Sequence, residues 1–226
     1  MSWKQGRFIT FEGLDGCGKS TQIERLAGRL REYGLDVLLT REPGGTPSGE
    51  KIRQLLLDTR TSDLAPMAEL ALMFAARAQH LQEVIAPSLA QGRTVLCDRF
   101  TDSTEAYQGG GRKLGSAVVL DLHRNLIGDL KPNLTILMDS DVTASVERAR
   151  RRNRAREGSE ISDEGRFEQE NRAFFTRVRD AYLEIAKREP TRVMIVDARG
   201  TPEQTHAKIM EVISGKLAVL NSGGVR

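Results

Sequence analysis

Eight consecutive residues, Gly13-Leu14-Asp15-Gly16-Cys17-Gly18-Lys19-Ser20, match the spacing G-x-x-x-x-G-K-[ST] at each fixed position. That spacing is suited to binding a polyphosphate. Glycines at 13, 16 and 18 let the backbone turn tightly and come close to a phosphate group. Amide N–H groups and a helix N-terminus then face the anion. Lys19 offers a mobile point charge to the outer phosphates, and the Ser20 hydroxyl can ligate Mg²⁺. The run from Gly13 to Thr21 is therefore a candidate loop for the phosphates of a nucleotide. A glycine turn ahead of an ordinary helix is the plainer alternative, so the flanking elements decide.

Those flanks have the required order. Arg7–Glu12 is short and rich in β-branched and aromatic residues, as a buried strand should be. Ile23, Leu26, Ala27 and Leu30 recur at the spacing of an amphipathic helix. Four more short apolar runs follow, at residues 37–40, 94–97, 134–138 and 193–196. Helical patterns lie between and after them, near residues 49–57, 66–90, 101–107, 116–127, from 142, 167–185 and 202–217. Pro87 should kink or end the second of these. Residues 58–64 read as a polar loop and residues 108–112 as a glycine-rich break. Strands alternating with helices predict one α/β domain over residues 1–226: a five-stranded parallel sheet with helices on both faces. Ligands should then bind at the carboxyl ends of the strands.

Composition narrows the class. At 226 residues and 39% hydrophobic content, one core is expected, and no apolar run approaches the ~18 residues of a membrane span. The first residues show no apolar leader. Two cysteines, Cys17 and Cys97, make no disulfide framework, which suits a reducing cytoplasm. A net charge of +3 is too small to imply a nucleic-acid surface.

Charged groups cluster at the expected strand ends: Asp15 in the loop, Arg41 and Glu42 after the second strand, Asp98 and Arg99 after the third. A strand ending in Asp beside a phosphate loop suits a group that holds Mg²⁺ directly or through water. Asp98 and Asp139 both qualify; Asp98 is preferred, with Asp139 taken as the N-cap of the helix from Val142. Arg41, Arg53, Arg77 and Arg99 lie on separate elements that could converge, more than one triphosphate needs, although any one could be a solvated surface charge. A second anion would use them, because the guanidinium fork binds phosphate oxygens in pairs.

The histidines His80, His123 and His206 fall on helices away from strand ends and read as structural. An alcohol acceptor needs a general base. A phosphate acceptor does not, since its second pKa is about 6 and it is already a dianion at neutral pH. The arginine-dense stretch at residues 148–156, with the polar segment after it, reads as a lid at about 148–166 that closes over the triphosphate. A solvated charged face is the alternative. Cys17 sits at a helix N-terminus beside Lys19, which would favour its thiolate; filling the loop as a small residue is the preferred reading.

In combination these residues resemble the thymidylate kinase family, over nearly the whole chain from Phe8 to about Val212. The carrying motifs are Phe11-Glu12-Gly13-Leu14-Asp15-Gly16 with the loop, Arg41-Glu42-Pro43-Gly44-Gly45-Thr46, Phe74-Ala75-Ala76-Arg77, Asp98-Arg99-Phe100, Ala106-Tyr107-Gln108-Gly109-Gly110-Gly111-Arg112, and Arg166-Phe167-Glu168-Gln169-Glu170. The resemblance implies a P-loop fold of the nucleoside monophosphate kinase type. It implies transfer of phosphate from Mg-ATP to dTMP, giving dTDP for DNA synthesis, and a cytoplasmic homodimer whose interface includes the long helix at residues 66–90. Small molecules, not nucleic acid or membrane, would be its partners.

It also implies roles. Asp15 would hold the 3′-hydroxyl of dTMP. Arg41 and Arg99 would bind the acceptor phosphate, supported by Arg53. Arg77 and Gln108 would read the thymine edge, Phe74 or its neighbour Met73 would stack on the ring, and Thr104 and Tyr107 would line the sugar and base pocket. Ser20 and Asp98 would serve the metal. One branch of the family carries a catalytic arginine inside the phosphate loop; here that position is Gly16, so the arginine would come from the lid, with Arg152 and Arg148 the candidates. Another nucleotide kinase of the same fold, or a nucleotide switch that is not a kinase, are the competing readings. No N-K-x-D guanine motif supports the switch.

Overall fold

In the computed structural model, which describes residues 6–61, 63–154 and 165–216, the five apolar runs form one parallel sheet. The strands are β1 (Arg7–Glu12), β2 (Val37–Arg41), β3 (Thr94–Asp98), β4 (Leu134–Asp139) and β5 (Val193–Asp197), in the order β2-β3-β1-β4-β5. The three central strands are buried almost throughout, and the edge strands only in part. This is why the central runs are continuously apolar rather than alternating.

Helix α1 (Lys19–Glu32) starts at the loop and returns to β2. Helix α2 (Pro47–Leu57) is capped by the Thr46 hydroxyl, which accepts from the Gly49 amide at 3.0 Å. Helices α3 (Pro66–His80) and α4 (Ala86–Ala90) are followed by α5 (Thr101–Thr104), α6 (Ser116–Leu126), α7 (Val142–Arg154), α8 (Arg172–Arg188) and α9 (Pro202–Lys216). Ile23, Leu26 and Leu30 of α1 and Ile209 and Ile213 of α9 cover one face of the sheet. α3, α6 and α8 cover the other. The chain leaves β1 for β2 on one side and β3 for β4 on the other. The loops after β1 and β3 therefore diverge above adjacent strands, opening a crevice where the phosphate loop lies.

Three local expectations change. Residues 108–112 are not a break: α5 runs straight into a π-helical segment, Glu105–Gly111. Its glycines are there for packing, because α8 crosses against them. A Cβ on Gly110 would lie 2.7 Å from the Ala181 methyl, and one on Gly111 would lie 2.6 Å from the Phe174 ring. Pro87 neither ends nor breaks the long helix. A π-helical turn, Leu81–Ile85, lies just ahead of it, with the Ala86 amide bonding back to the Leu81 carbonyl. The wider turn accommodates a residue that has no N–H to donate. Asp139 does not cap α7. Asp141 does, accepting from the Ala144 amide at 2.8 Å, while Asp139 is held by Arg179 and Arg199.

On the α8 side of the sheet lies a buried polar belt. Glu12, fully buried at the end of β1, accepts from the Phe100 amide at 2.8 Å, from the Ser103 hydroxyl at 2.5 Å and from the Tyr182 hydroxyl at 3.1 Å. Thr10 and Thr135 share a hydroxyl bond, and Asp102 binds Thr135 and a two-point contact from Arg192. Together these suspend α5 over the sheet. They also hold Arg99 in the left-handed region, at φ 73°, where a side chain other than glycine's is strained.

Gly111→Ala should lower stability by about 1–3 kcal/mol in urea unfolding, through overpacking against Phe174. Gly28→Ala, at a site in α1 with nothing within 4 Å of an added Cβ, should raise it by about 0.5–1 kcal/mol. At Glu12, burial and then repulsion from Asp102 push the carboxyl up from 4.5 to about 7. The folded state therefore binds this proton more tightly than the unfolded chain, and the stability that the proton supplies is lost as pH rises from about 4.5 to 7. Compared by thermal unfolding, wild type should lose stability relative to Glu12→Gln across that window. A pH-independent difference would contradict it.

Candidate active site

The phosphate loop joins β1 to α1 with Gly13, Gly16 and Gly18 at φ 131°, 79° and 97°. Leu14 and Cys17 are buried and give the loop its packing rather than its chemistry. For Cys17, burial raises the thiol pKa despite the opposing pull of Lys19 and Arg99, so the loop-filling reading holds. The Lys19 ammonium rests on the carbonyls of Gly13 and Leu14, at 3.1 and 3.0 Å. A cavity of about 660 Å³ opens beside it, lined at this end by Asp15, Gly16, Gly18, Lys19, Ser20 and Thr21.

The same cavity takes in Arg41, Arg53, Arg77 and Arg99, so the four converge on one crevice. Arg41 is the most exposed, with 53% of its side chain accessible, and is held by Glu50 at 2.9 Å. Arg53 donates to the Pro43 carbonyl at 3.1 Å. Arg99 is the best anchored: its guanidinium reaches Asp15 at 2.8 Å, the Gly13 carbonyl at 3.0 Å, Ser103 at 2.8 Å and the hydroxyls of Tyr107 and Tyr182. Burial would raise the Asp15 carboxyl, but Arg99 and then Lys19 hold it well below the usual carboxylate range.

At the far end the lining is Met73, Arg77, Phe100, Thr104, Tyr107, Gln108 and Phe167. Arg77 donates Nε to Glu42 at 2.7 Å and Nη2 to Thr104 at 2.8 Å, with its guanidinium over the rings of Phe74 and Phe100. Its Nη1 is buried without a partner among the described residues. Phe74 is not a lining residue. It is fully buried in the core with Phe8, Leu70 and Phe100. Along α3, Leu70 and Phe74 share the inward stripe, while Met73 and Arg77, also four apart, share the stripe facing the cavity. Of Met73 and Phe74, Met73 is the one that lines the cavity.

Both lid candidates line the cavity from α7. Arg148 donates to the Gly16 carbonyl at 2.8 Å and to Ser145 at 3.2 Å. Arg152 lies near enough for its charge to act on Asp15. Arg150 turns away to the Glu170 carbonyl. Residues 155–164 of the expected lid, with Arg156, lie outside the described residues. Gly16 is obligatory beneath this helix, since a Cβ there would lie 2.1 Å from the Ser145 carbonyl. For a metal, Asp98 lines the cavity with Ser20, and its Oδ1 is buried with no partner among the described residues. A buried carboxylate oxygen without a donor fits a hydrated divalent cation.

Sequence reasoning missed Ser103, Phe100 and Phe167 in the lining and the role of Glu12 beneath it. The signal for Glu12 was available: on a strand it shares a face with Phe8 and Thr10, so it had to be buried. Phe167 belongs to a short turn whose position depends on distant contacts, and no local pattern marks it.

Comparison with known proteins agrees with this geometry. The family model described as thymidylate kinase matches residues 11–209. The thymidylate kinase of Trichlorobacter lovleyi is 50% identical over 94% of this chain and 99% of that protein. That of Ectopseudomonas mendocina is 52% identical over 90% and 93%. The crystal structure of thymidylate kinase from Ehrlichia chaffeensis superposes with a TM-score of 0.74 at 34% identity, covering 92% of this chain and 99% of that one. With a family match spanning most of its length and half of its residues shared with such relatives, the chain belongs to the thymidylate kinase family.

Proposed function

We propose that this cavity transfers the γ-phosphoryl group of Mg-ATP to the phosphate of dTMP, giving dTDP. The observation that carries the reading is one continuous cavity with a phosphate loop at one end, Arg41, Arg53 and Arg99 from separate parts of the chain in the middle, and Arg77, with Nη1 unpartnered among the described residues, at the other. The triphosphate lies along residues 13–21, with Lys19 on its outer phosphates. Arg99, Arg41 and Arg53 take the acceptor phosphate. Asp15, turned toward Tyr107, takes the sugar 3′-hydroxyl. Thymine enters between Met73 and Phe100, with Arg77 and Gln108 on its edge and Thr104 beside it.

No histidine lines the cavity among the described residues; of the lining carboxylates, Asp15 and Glu42 are each paired with an arginine, and Asp98 is the one assigned to the metal. A dianionic acceptor needs no base, so these residues accelerate transfer by alignment and by neutralising charge. Ser20 and Asp98 would hold Mg²⁺, which supplies charge neutralisation on the triphosphate. Arg152, which lines the cavity and whose charge reaches Asp15, is our choice for the arginine on the transferring group. The segment at 148–166 serves as the lid. The chain acts as a homodimer through α3, where Met67 is 51% exposed; sedimentation in solution should give twice the mass of one chain.

The deciding assay is ADP release from Mg-ATP with dTMP, dUMP, dCMP, dGMP, AMP or thymidine. Turnover should require dTMP, fall for dUMP and vanish for thymidine. Equal rates across the panel, or acceptor-independent hydrolysis as in a switch, would overturn the assignment. Lys19→Ala and Arg152→Ala should each lower kcat by about 10²–10³-fold, the scale of removing one transition-state donor. Arg99→Ala should act chiefly on KM for dTMP, and Arg148→Ala should cost less than Arg152→Ala. Full activity in any of the first three would remove that residue's role.

A further inference from the structure

Gln108 presents a choice that its own structure cannot make. A primary amide has a donor end and an acceptor end of nearly equal shape, and either could face the cavity. The neighbour that decides is Glu69, a fully buried residue of α3 that does not line the cavity. Its Oε1 accepts from Gln108 Nε2 at 2.8 Å and from Arg112 Nε at 3.2 Å. Its Oε2 accepts from Arg112 Nη2 at 3.1 Å and from Arg166 Nη2. A carboxylate receiving two guanidiniums can only accept, so the NH₂ of Gln108 must turn toward it. The carbonyl oxygen of Gln108 takes no hydrogen bond from a described residue and is not sealed off from the cavity.

We propose that Glu69 is a positioning residue for base selectivity, fixing Gln108 so that an acceptor, not a donor, meets the ring nitrogen of the pyrimidine. This rests on the reading that Gln108 meets the base edge. With the guanidinium of Arg77, which lines the same cavity, as the donor, the pair would present donor then acceptor. Thymine offers the complement: the carbonyl oxygen at C4 and the N–H at N3. Cytosine offers an amino group and a bare ring nitrogen, so both contacts are mismatched. A Gln108 turned the other way would suit the bare nitrogen, and Glu69 forbids that turn. Selection thus comes from a carboxylate that never touches the base, because its geometry leaves a buried polar group unpaired in the wrong complex.

The test compares kcat/KM for dTMP and 5-methyl-dCMP, two acceptors that both carry the 5-methyl group, in wild type, Glu69→Gln and Gln108→Leu. The amide introduced by Glu69→Gln could donate or accept, so both orientations of Gln108 would be satisfied. The dTMP preference of Glu69→Gln should fall by about tenfold, the value of one mispaired buried hydrogen bond. It should fall partly because turnover of 5-methyl-dCMP rises, with KM for ATP unchanged. A merely loosened pocket would lower both acceptors together. An unchanged preference in folded Glu69→Gln, beside a reduced one in Gln108→Leu, overturns the role of Glu69 and leaves the base reading standing. An unchanged preference in Gln108→Leu as well overturns that reading and this inference with it. Should Glu69→Gln fail to fold, wild type still decides. The Gln108 side-chain amide signals, assigned by their loss in Gln108→Leu, should exchange with solvent at least about tenfold more slowly than those of exposed Gln54. Equal exchange would overturn the proposal.

Discussion

A guanidinium cannot shed its charge, so burying one obliges its surroundings to satisfy it. Arg99, 14% exposed, is where that obligation falls. Its partners come from the phosphate loop, from α5, from the π-helical segment after it and from α8. Each partner has a second engagement. Ser103 and Tyr182 pass their hydrogens to Glu12, and Tyr107 passes its hydrogen to Asp15. One cation therefore ties the loop to the floor of the acceptor site, with the Asp15 carboxylate as its counter-ion. Burial would lower the Arg99 pKa, yet Asp15 and the neighbouring hydroxyls hold it well above its ordinary value.

The same economy recurs at the base end. Arg77 is clamped by Glu42, which also binds His80, and His80 in turn meets Thr40. Arg112 lies between the rings of Phe167 and Phe174 while it pairs with Glu69 and Glu170. Arg77, which lines the cavity, and Arg112 are each held by ion pairs that keep their side chains from turning, the arrangement that makes a site stiff before a ligand arrives. Glycine-lined π-helical backbone lets α8 approach closely enough to complete these contacts.

Much of this was legible in the chain. Strands, loop and helix α1 follow from periodicity and from residues with fixed conformational demands. The residues at strand ends follow from topology, because a parallel sheet must point them into one crevice. What was not legible depends on tertiary contact. Whether Met73 or Phe74 faces the cavity is a matter of about 100° of helix rotation, set by which stripe meets the core. Gly109, Gly110 and Gly111 read as a break because glycine disfavours helix, and the sequence does not show the helix that crosses them. Asp139 and Asp141 are two residues apart, and only their partners distinguish a cap from an ion pair.

The contact between Gly16 and the Ser145 carbonyl has a consequence for how such enzymes can change. The space that an arginine would need inside the loop is filled by the backbone of the very helix that carries Arg148 and Arg152. A side chain at position 16 and the present seat of α7 are therefore sterically exclusive. A substitution at Gly16 alone would drive the loop and helix apart. Any larger residue at position 16 would require the loop and α7 to shift together, so the loop's sequence and the helix's seat are free to change only as a pair.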